Sequence, residues 1–162
     1  MKIKRTMMKR LFCLIGVIVL STTYVNPVMA KTNKDTNTSS QKMEDPCKEI
    51  LSLVNEKRKE ADLDPLVWND VLANDASLRA KEISKKFSHT RPNGKDWYTL
   101  DEDNMYGENL GKGYETAQEV FDAWMNSKSH KENILWEEFT QIGIAVYVTK
   151  SGSCYWVQEF GY

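Results

Sequence analysis

The sequence predicts an α+β domain with its helices first and a β-hairpin last. Three observations carry this. Apolar residues recur at helical spacing in three separate stretches, a helix-start signal stands before each, and the period changes to alternation near the C-terminus. Segments of that kind, helices followed by antiparallel strands, build helices packed on a sheet.

The first helix starts after Asp45-Pro46, an N-cap followed by proline at the first helical position. Ile50, Leu51, Val54 and Ala61 give its apolar stripe, and it ends near Ala61. The run DLDPLVW is an extended connector, because Pro65 pushes Asp64 away from helical backbone. Asn69 or Asp70 opens a second helix. Leu72, Ala73, Ala76, Ala80 and Ile83 share one face, and the small alanines allow close packing on a neighbour. Residues 87–105 read as loop, with RPNG as turn chemistry. A strand-like stretch follows in YGENLGKG. Thr116 and Glu119 form a capping box that starts a third helix, with Ala117, Val120, Phe121 and Trp124 as its buried face. A short fourth helix over 130–135 has a second capping box, Ser129 to Glu132. Finally IGIAVYV and CYWVQEFGY flank a glycine-containing turn and read as a hairpin.

The N-terminal 30 residues have a different character. Lys2, Lys4, Arg5, Lys9 and Arg10 precede an apolar run from Leu11 to Leu20, and Val28 and Ala30 suit a small-residue cleavage site. This pattern reads as a secretory signal over residues 1–30, since a spanning helix needs about 20 apolar residues. The mature chain then has no stable membrane span. Residues 31–45 are polar, without apolar period, and read as a flexible linker. Residues 46–162 are the domain.

Loss of the signal alters charge and cysteine content. The whole chain has 22 Lys+Arg against 23 Asp+Glu, and five of the basic residues lie in the signal, so 17 remain and the net becomes −6. That balance argues against nucleic acid and against anionic membrane surfaces as partners, since both reward positive patches. Cys13 leaves with the signal, and Cys47 and Cys154 remain. Two cysteines in an exported protein predict one disulfide. It would close a loop of about a hundred residues, for which the chain-entropy model gives roughly 4–5 kcal/mol.

The chain has only two histidines, His89 and His130. They stand in an ordered series of motifs: FSH at 87–89, GENL at 107–110, W-x-x-S-x-x-H-x-x-NIL at 124–135, IGIAV at 142–146 and YWVQEFG at 155–161. The series resembles the CAP superfamily (cysteine-rich secretory proteins, antigen 5 and pathogenesis-related proteins), and most of all its bacterial secreted members with an SCP-type domain. The resemblance implies a three-layer α-β-α sandwich, with helices around a small antiparallel sheet. It also implies a central cleft lined by two histidines and acidic residues. By position these are His89, Glu108 and His130, while Ser127 stands where many members carry a second glutamate.

The chemistry of those residues leaves several functions open. Two imidazoles and a carboxylate are donor types that Zn²⁺ takes, and His89 with His130 are the candidate metal ligands. The same trio, His89, Glu108 and His130, could do acid–base catalysis. Without a metal or a reaction, the cleft is a binding site. One reading is therefore a secreted binding or effector protein for a lipid, sterol, peptide, cell-wall fragment or protein partner. Another is a metal-dependent hydrolase or peptidase with Glu108 as base. A third is an extracellular scaffold with a vestigial cleft. Serine catalysis is disfavoured: Ser88, Ser127 and Ser129 lie beside the histidines in sequence, but no G-x-S-x-G elbow is present. Trp97 and Tyr98 are expected at the cleft mouth, and Asn109 and Asn133 as scaffold.

Overall fold

The computed structural model describes residues 45–162. The signal and nearly all of the linker predicted above lie outside the described residues. Among the described residues four helices and four strands follow one another: α1 (Pro46–Glu60), β1 (Val67–Trp68), α2 (Asp70–Lys85), β2 (Gly107–Lys112), α3 (Ala117–Asn126), α4 (Lys128–Ile134), β3 (Gln141–Val148) and β4 (Cys154–Gly161). A single 3₁₀ turn, Trp97–Leu100, interrupts the long loop before β2.

The local signals explain most boundaries. Asp45 accepts the Cys47 amide at 3.0 Å and caps α1. Asn69 accepts the amides of Val71 and Leu72 and caps α2. Both halves of the Thr116–Glu119 capping box are formed at α3. The fourth helix corrects an expectation. It begins at Lys128, with Ser127 as its N-cap residue, so Ser129 lies inside the first turn and caps nothing.

The strands form one sheet in the order β1-β3-β4-β2. It is mixed rather than purely antiparallel. β3–β4 and β4–β2 are antiparallel, but β1 pairs parallel with β3 through Val67 and Trp68. This two-residue strand falls in the stretch expected to be a connector. Nothing local marks it, because its hydrogen bonds go to Thr140 and Ile142, more than seventy residues away.

Helices α1, α3 and α4 cover one face of the sheet and α2 covers the other, giving three α-β-α layers. Ile50, Val54, Val120, Phe121, Trp124, Ile142, Ile144, Trp156 and Phe160 fill the first interface. Ala76, Ala80, Ile83, Leu110, Ala145 and Val157 fill the second. The alanines of α2 do allow close packing. A Cβ on Gly143 of β3 would lie 2.1 Å from the Leu72 carbonyl carbon. Glycine is required there by the approach of a neighbouring backbone.

Cys47 and Cys154 are both free thiols, which corrects the predicted disulfide. Both pack at the margin of the first core. The Cys154 Sγ donates to the Gly152 carbonyl at 3.7 Å. The Cys47 thiol is pushed up to about 12, by burial first and by Asp45 second. Counting cysteines and assigning a compartment says nothing about where two thiols point.

Candidate functional site: a cleft at the sheet edge

Strand β2 ends the sheet and places Glu108 on the α2 face and Asn109 on the other. Helix α2 leads into the loop carrying His89, and α4 carries His130 from the opposite layer. The two histidines, 41 residues apart in sequence, thus meet across the edge strand. The cleft between them has a volume of about 360 Å³ and is lined by His89, Glu108, Ser129, His130, Glu132, Asn133 and Trp136. Ser127, expected in the lining, is not among these residues. It stands at the start of α4, and its hydroxyl reaches that of Ser129 at 3.5 Å.

Glu108 forms the cleft floor. Its side chain is wholly buried. Arg79 Nε donates to Oε2 at 2.7 Å and Nη2 to Oε1 at 3.3 Å. His89 Nδ1 donates to Oε1 at 2.7 Å. An ionised carboxylate only accepts, so this contact places a proton on Nδ1, and in the neutral imidazole the lone pair is then on Nε2. Arg79 is itself fully buried and also donates to Glu82 at 2.6 Å and to the Ser88 carbonyl at 3.0 Å. One guanidinium therefore holds the Glu108 carboxylate and the loop bearing His89 together.

The opposite wall is held by amides. Asn109 donates to the His130 carbonyl and to Gln158 Oε1, each at 3.0 Å. Asn133 donates to Asn109 Oδ1 at 2.9 Å and to the Glu108 carbonyl at 3.3 Å. These contacts pin α4 to β2 and make Asn109 and Asn133 structural supports. The His130 imidazole is shifted below the usual histidine value, first by burial and then by the nearby His89. His130 is thus biased towards the neutral form, which can ligate metal or accept a hydrogen bond.

Four contributors were not found from sequence. Arg79 and Arg58 are buried charges on helix faces, where charge is usually solvated. Arg58 donates to the carbonyls of Asp64, Ile134, Trp136 and Phe139 and so fixes the chain leaving α4. Trp136 lies in that chain, half exposed, and forms a wall of the cleft. It also lines two adjoining hollows of about 370 and 350 Å³, which it shares with Leu135. Glu132 brings a second carboxylate to the cleft, although Ser127 occupies the place where one was sought. Trp97 and Tyr98 pack edge to face at 5.7 Å and are absent from the lining. Among the described residues, no group of three or more His, Cys, Asp or Glu side chains is placed to hold a metal ion.

The layered fold and the histidine cleft across its edge strand define a CAP-type domain. The family model for CAP, the cysteine-rich secretory protein family, matches residues 51–160, and the chain belongs to this family. It is 32% identical over 141 residues to the uncharacterized protein YkwD of Bacillus subtilis, covering 83% of this chain and 54% of that protein. The chain thus spans about half the length of that relative. An outer surface protein of Borrelia burgdorferi superposes with a TM-score of 0.65 at 26% identity, over 73% of this chain and 92% of that one. An extracellular SCP-domain protein of Bacillus anthracis superposes with a TM-score of 0.63 at 27% identity, over 72% of this chain and 40% of that one.

Proposed function

We propose that this CAP-domain protein acts outside the cell as a binding or effector module whose ligand seats between His89 and His130. The observation that carries this is the state of Glu108. It is wholly buried and held by Arg79 and His89, so it is a support for the cleft rather than a base free to activate water. Trp136 adds an exposed apolar surface beside the polar cleft. Its hollow between Lys128, Lys131, Glu132 and Leu135 is walled mainly by carbon. A polar recess beside an apolar trough suits a ligand with a polar head and an apolar body. A lipid, a sterol or an apolar peptide has that form. The extracellular location rests on the signal-like N-terminus and on relatives described as outer surface and extracellular proteins.

One observation favours the hydrolase as a second reading. His89 has a carboxylate on Nδ1 and a free Nε2, the arrangement that orients metal-binding histidines. Zn²⁺ held by His89 and His130 would keep water in its remaining positions, with Glu132 rather than Glu108 as the available base. Among the described residues no helix is long and apolar enough to cross a membrane.

Calorimetry on metal-free protein separates these readings. A soluble acyl amphiphile and Zn²⁺ are titrated in turn into the wild type, Trp136→Ala, and His89→Ala/His130→Ala. Amphiphile affinity at least tenfold weaker in Trp136→Ala supports the binding module. Equal affinity in all three proteins refutes it. Zn²⁺ binding lost only in the double variant, together with peptide hydrolysis that needs the ion, establishes the second reading instead.

A further inference from the structure

A second glutamate lies behind the cleft, and the proposed function makes no use of it. Glu159 on β4 stands directly opposite Glu108 on β2 in the strand register. Directly opposed residues share a face, with Cβ atoms on the order of 5 Å apart. Glu159 is completely buried, and neither of its carboxylate oxygens has a hydrogen-bond donor. Buried polar groups of this kind are rare and call for an explanation.

The neighbours of Glu159 can be named element by element. Helix α2 brings Arg79 and Asp75. The donors of Arg79 go to Glu108, Glu82 and Ser88, and none reaches Glu159. Asp75 is a further acid, beside Asp101 of the loop between α2 and β2, and its carboxyl is raised by burial and then by Asp101. Strand β3 places Gly143 beside Glu159 and so brings no side chain. Strand β2 brings Glu108, directly opposite in the register and on the same face. One guanidinium thus faces two opposed carboxyl groups and is committed to one of them. Two like charges packed in a dry interface cannot both be held ionised by it. A proton on Glu159 supplies the missing donor and leaves Arg79, Glu108 and Glu159 with no net charge.

We propose that Glu159 is a positioning residue of the cleft, a neutral carboxylic acid whose O–H donates to Glu108 and holds that carboxylate in place for His89. The direction of its titration agrees. Burial, and then the adjacent Glu108, push the Glu159 carboxyl well above its ordinary value of 4.5, and Arg79 opposes this only as a later contribution. The inference rests on the cleft reading for what Glu159 positions, but the proton can be tested with no ligand present.

The sign of the pH effect follows from linkage. A group with a folded-state pKa above its unfolded value contributes stability that is complete below the unfolded pKa. That contribution is lost as pH rises through the folded pKa. The wild type should therefore lose stability relative to Glu159→Gln as pH rises above about 4.5, because the amide donates to Glu108 without titrating.

The experiment uses the full chain in three forms: wild type, Glu159→Gln and Glu159→Leu. Infrared spectra at neutral pH report the C=O stretch of a protonated carboxyl group. Unfolding midpoints are followed against pH, and NMR follows the His89 Nδ1 proton. We expect one carboxyl band in the wild type that disappears in Glu159→Gln. We expect the His89 signal to be retained in the Gln variant and shifted or lost in the Leu variant. No protonated-carboxyl band in the wild type, or parallel pH profiles for wild type and Gln variant, overturns the proposal. So does an unmoved His89 signal in a folded Leu variant. Should the Leu variant fail to fold, the band and the pH profiles still decide. A cleft that binds nothing would refute the proposed function and leave these readings intact.

Discussion

Arg79→Met is the substitution that most directly tests how the cleft is held. The change keeps a long unbranched side chain but removes the guanidinium, which is fully buried and donates to Glu108, Glu82 and the Ser88 carbonyl. The Glu82 contact is partly exposed and contributes little, since surface pairs are worth about 0–1 kcal/mol. The Glu108 contact is different, because both side chains have no exposure at all. Breaking a buried pair from one side leaves an uncompensated charge and costs about 3–5 kcal/mol. Against a total stability of roughly 5–15 kcal/mol, that is at least about a fifth of what holds the domain folded. Urea unfolding monitored by tryptophan fluorescence should show the midpoint falling with an unchanged slope. Arg79→Met/Glu108→Leu should recover much of the loss, because an apolar pair of similar volume can replace a buried ion pair. A single-variant loss below about 1 kcal/mol, or a double variant worse than the sum of the singles, would show that the pair does not carry this weight.

Two further outcomes follow from the same geometry. With both cysteines free, alkylation and peptide mapping should find Cys47 and Cys154 each modified once the chain is unfolded. In the native state Cys154 should react first, since at pH 8 a thiol with a pKa of about 12 is ionised only at a level on the order of 10⁻⁴; recovery of a Cys47–Cys154 cross-linked peptide would contradict this. His130 has a folded-state pKa below its ordinary 6.5, so its contribution to stability is present above that value and lost as pH falls through the folded pKa. Thermal midpoints between roughly pH 8 and 5 should fall more steeply for the wild type than for His130→Gln, and matching slopes would count against a half-buried neutral imidazole.

Much of the fold could be read from the chain because its signals are local. Asp45-Pro46, Asn69 and the Thr116–Glu119 box each fix a helix start with groups a few residues apart. The alternation in β3 and β4 gave the hairpin for the same reason. Strand β1 could not be read, since two residues become a strand only by pairing with a distant one. The buried arginines did leave a trace. Arg79 falls on the stripe formed by Leu72, Ala76, Ala80 and Ile83, and Arg58 continues the stripe of Ile50 and Val54. Glu159 likewise interrupts the alternate positions Tyr155, Val157 and Gly161. An ionisable residue at an apolar position of an otherwise regular period marks a buried polar group. The histidines themselves were visible from the motif series, whereas Trp136 follows α4 in an irregular segment whose course is set by Arg58 from another helix.

The two arginines also explain why the cleft can sit at an edge strand. A terminal strand offers unpaired backbone groups to any passing chain. Here two outward carbonyls of β2 are taken from within the molecule, Glu108 by Asn133 and Leu110 by Trp124. These two contacts hinder strand addition there, and the recess beside the edge is lined by side chains from the two helical layers. Arg79 ties the His89 loop to the sheet from the α2 side. Arg58 ties the α4 exit, and with it Trp136, from the α1 side. The two guanidiniums share no partner. Each wall is therefore fixed separately, and the separation of His89 from His130 depends on the thickness of the sheet edge between them rather than on direct contact. Such a construction holds a polar recess open in a small domain, where hydrophobic packing alone would draw the two layers together.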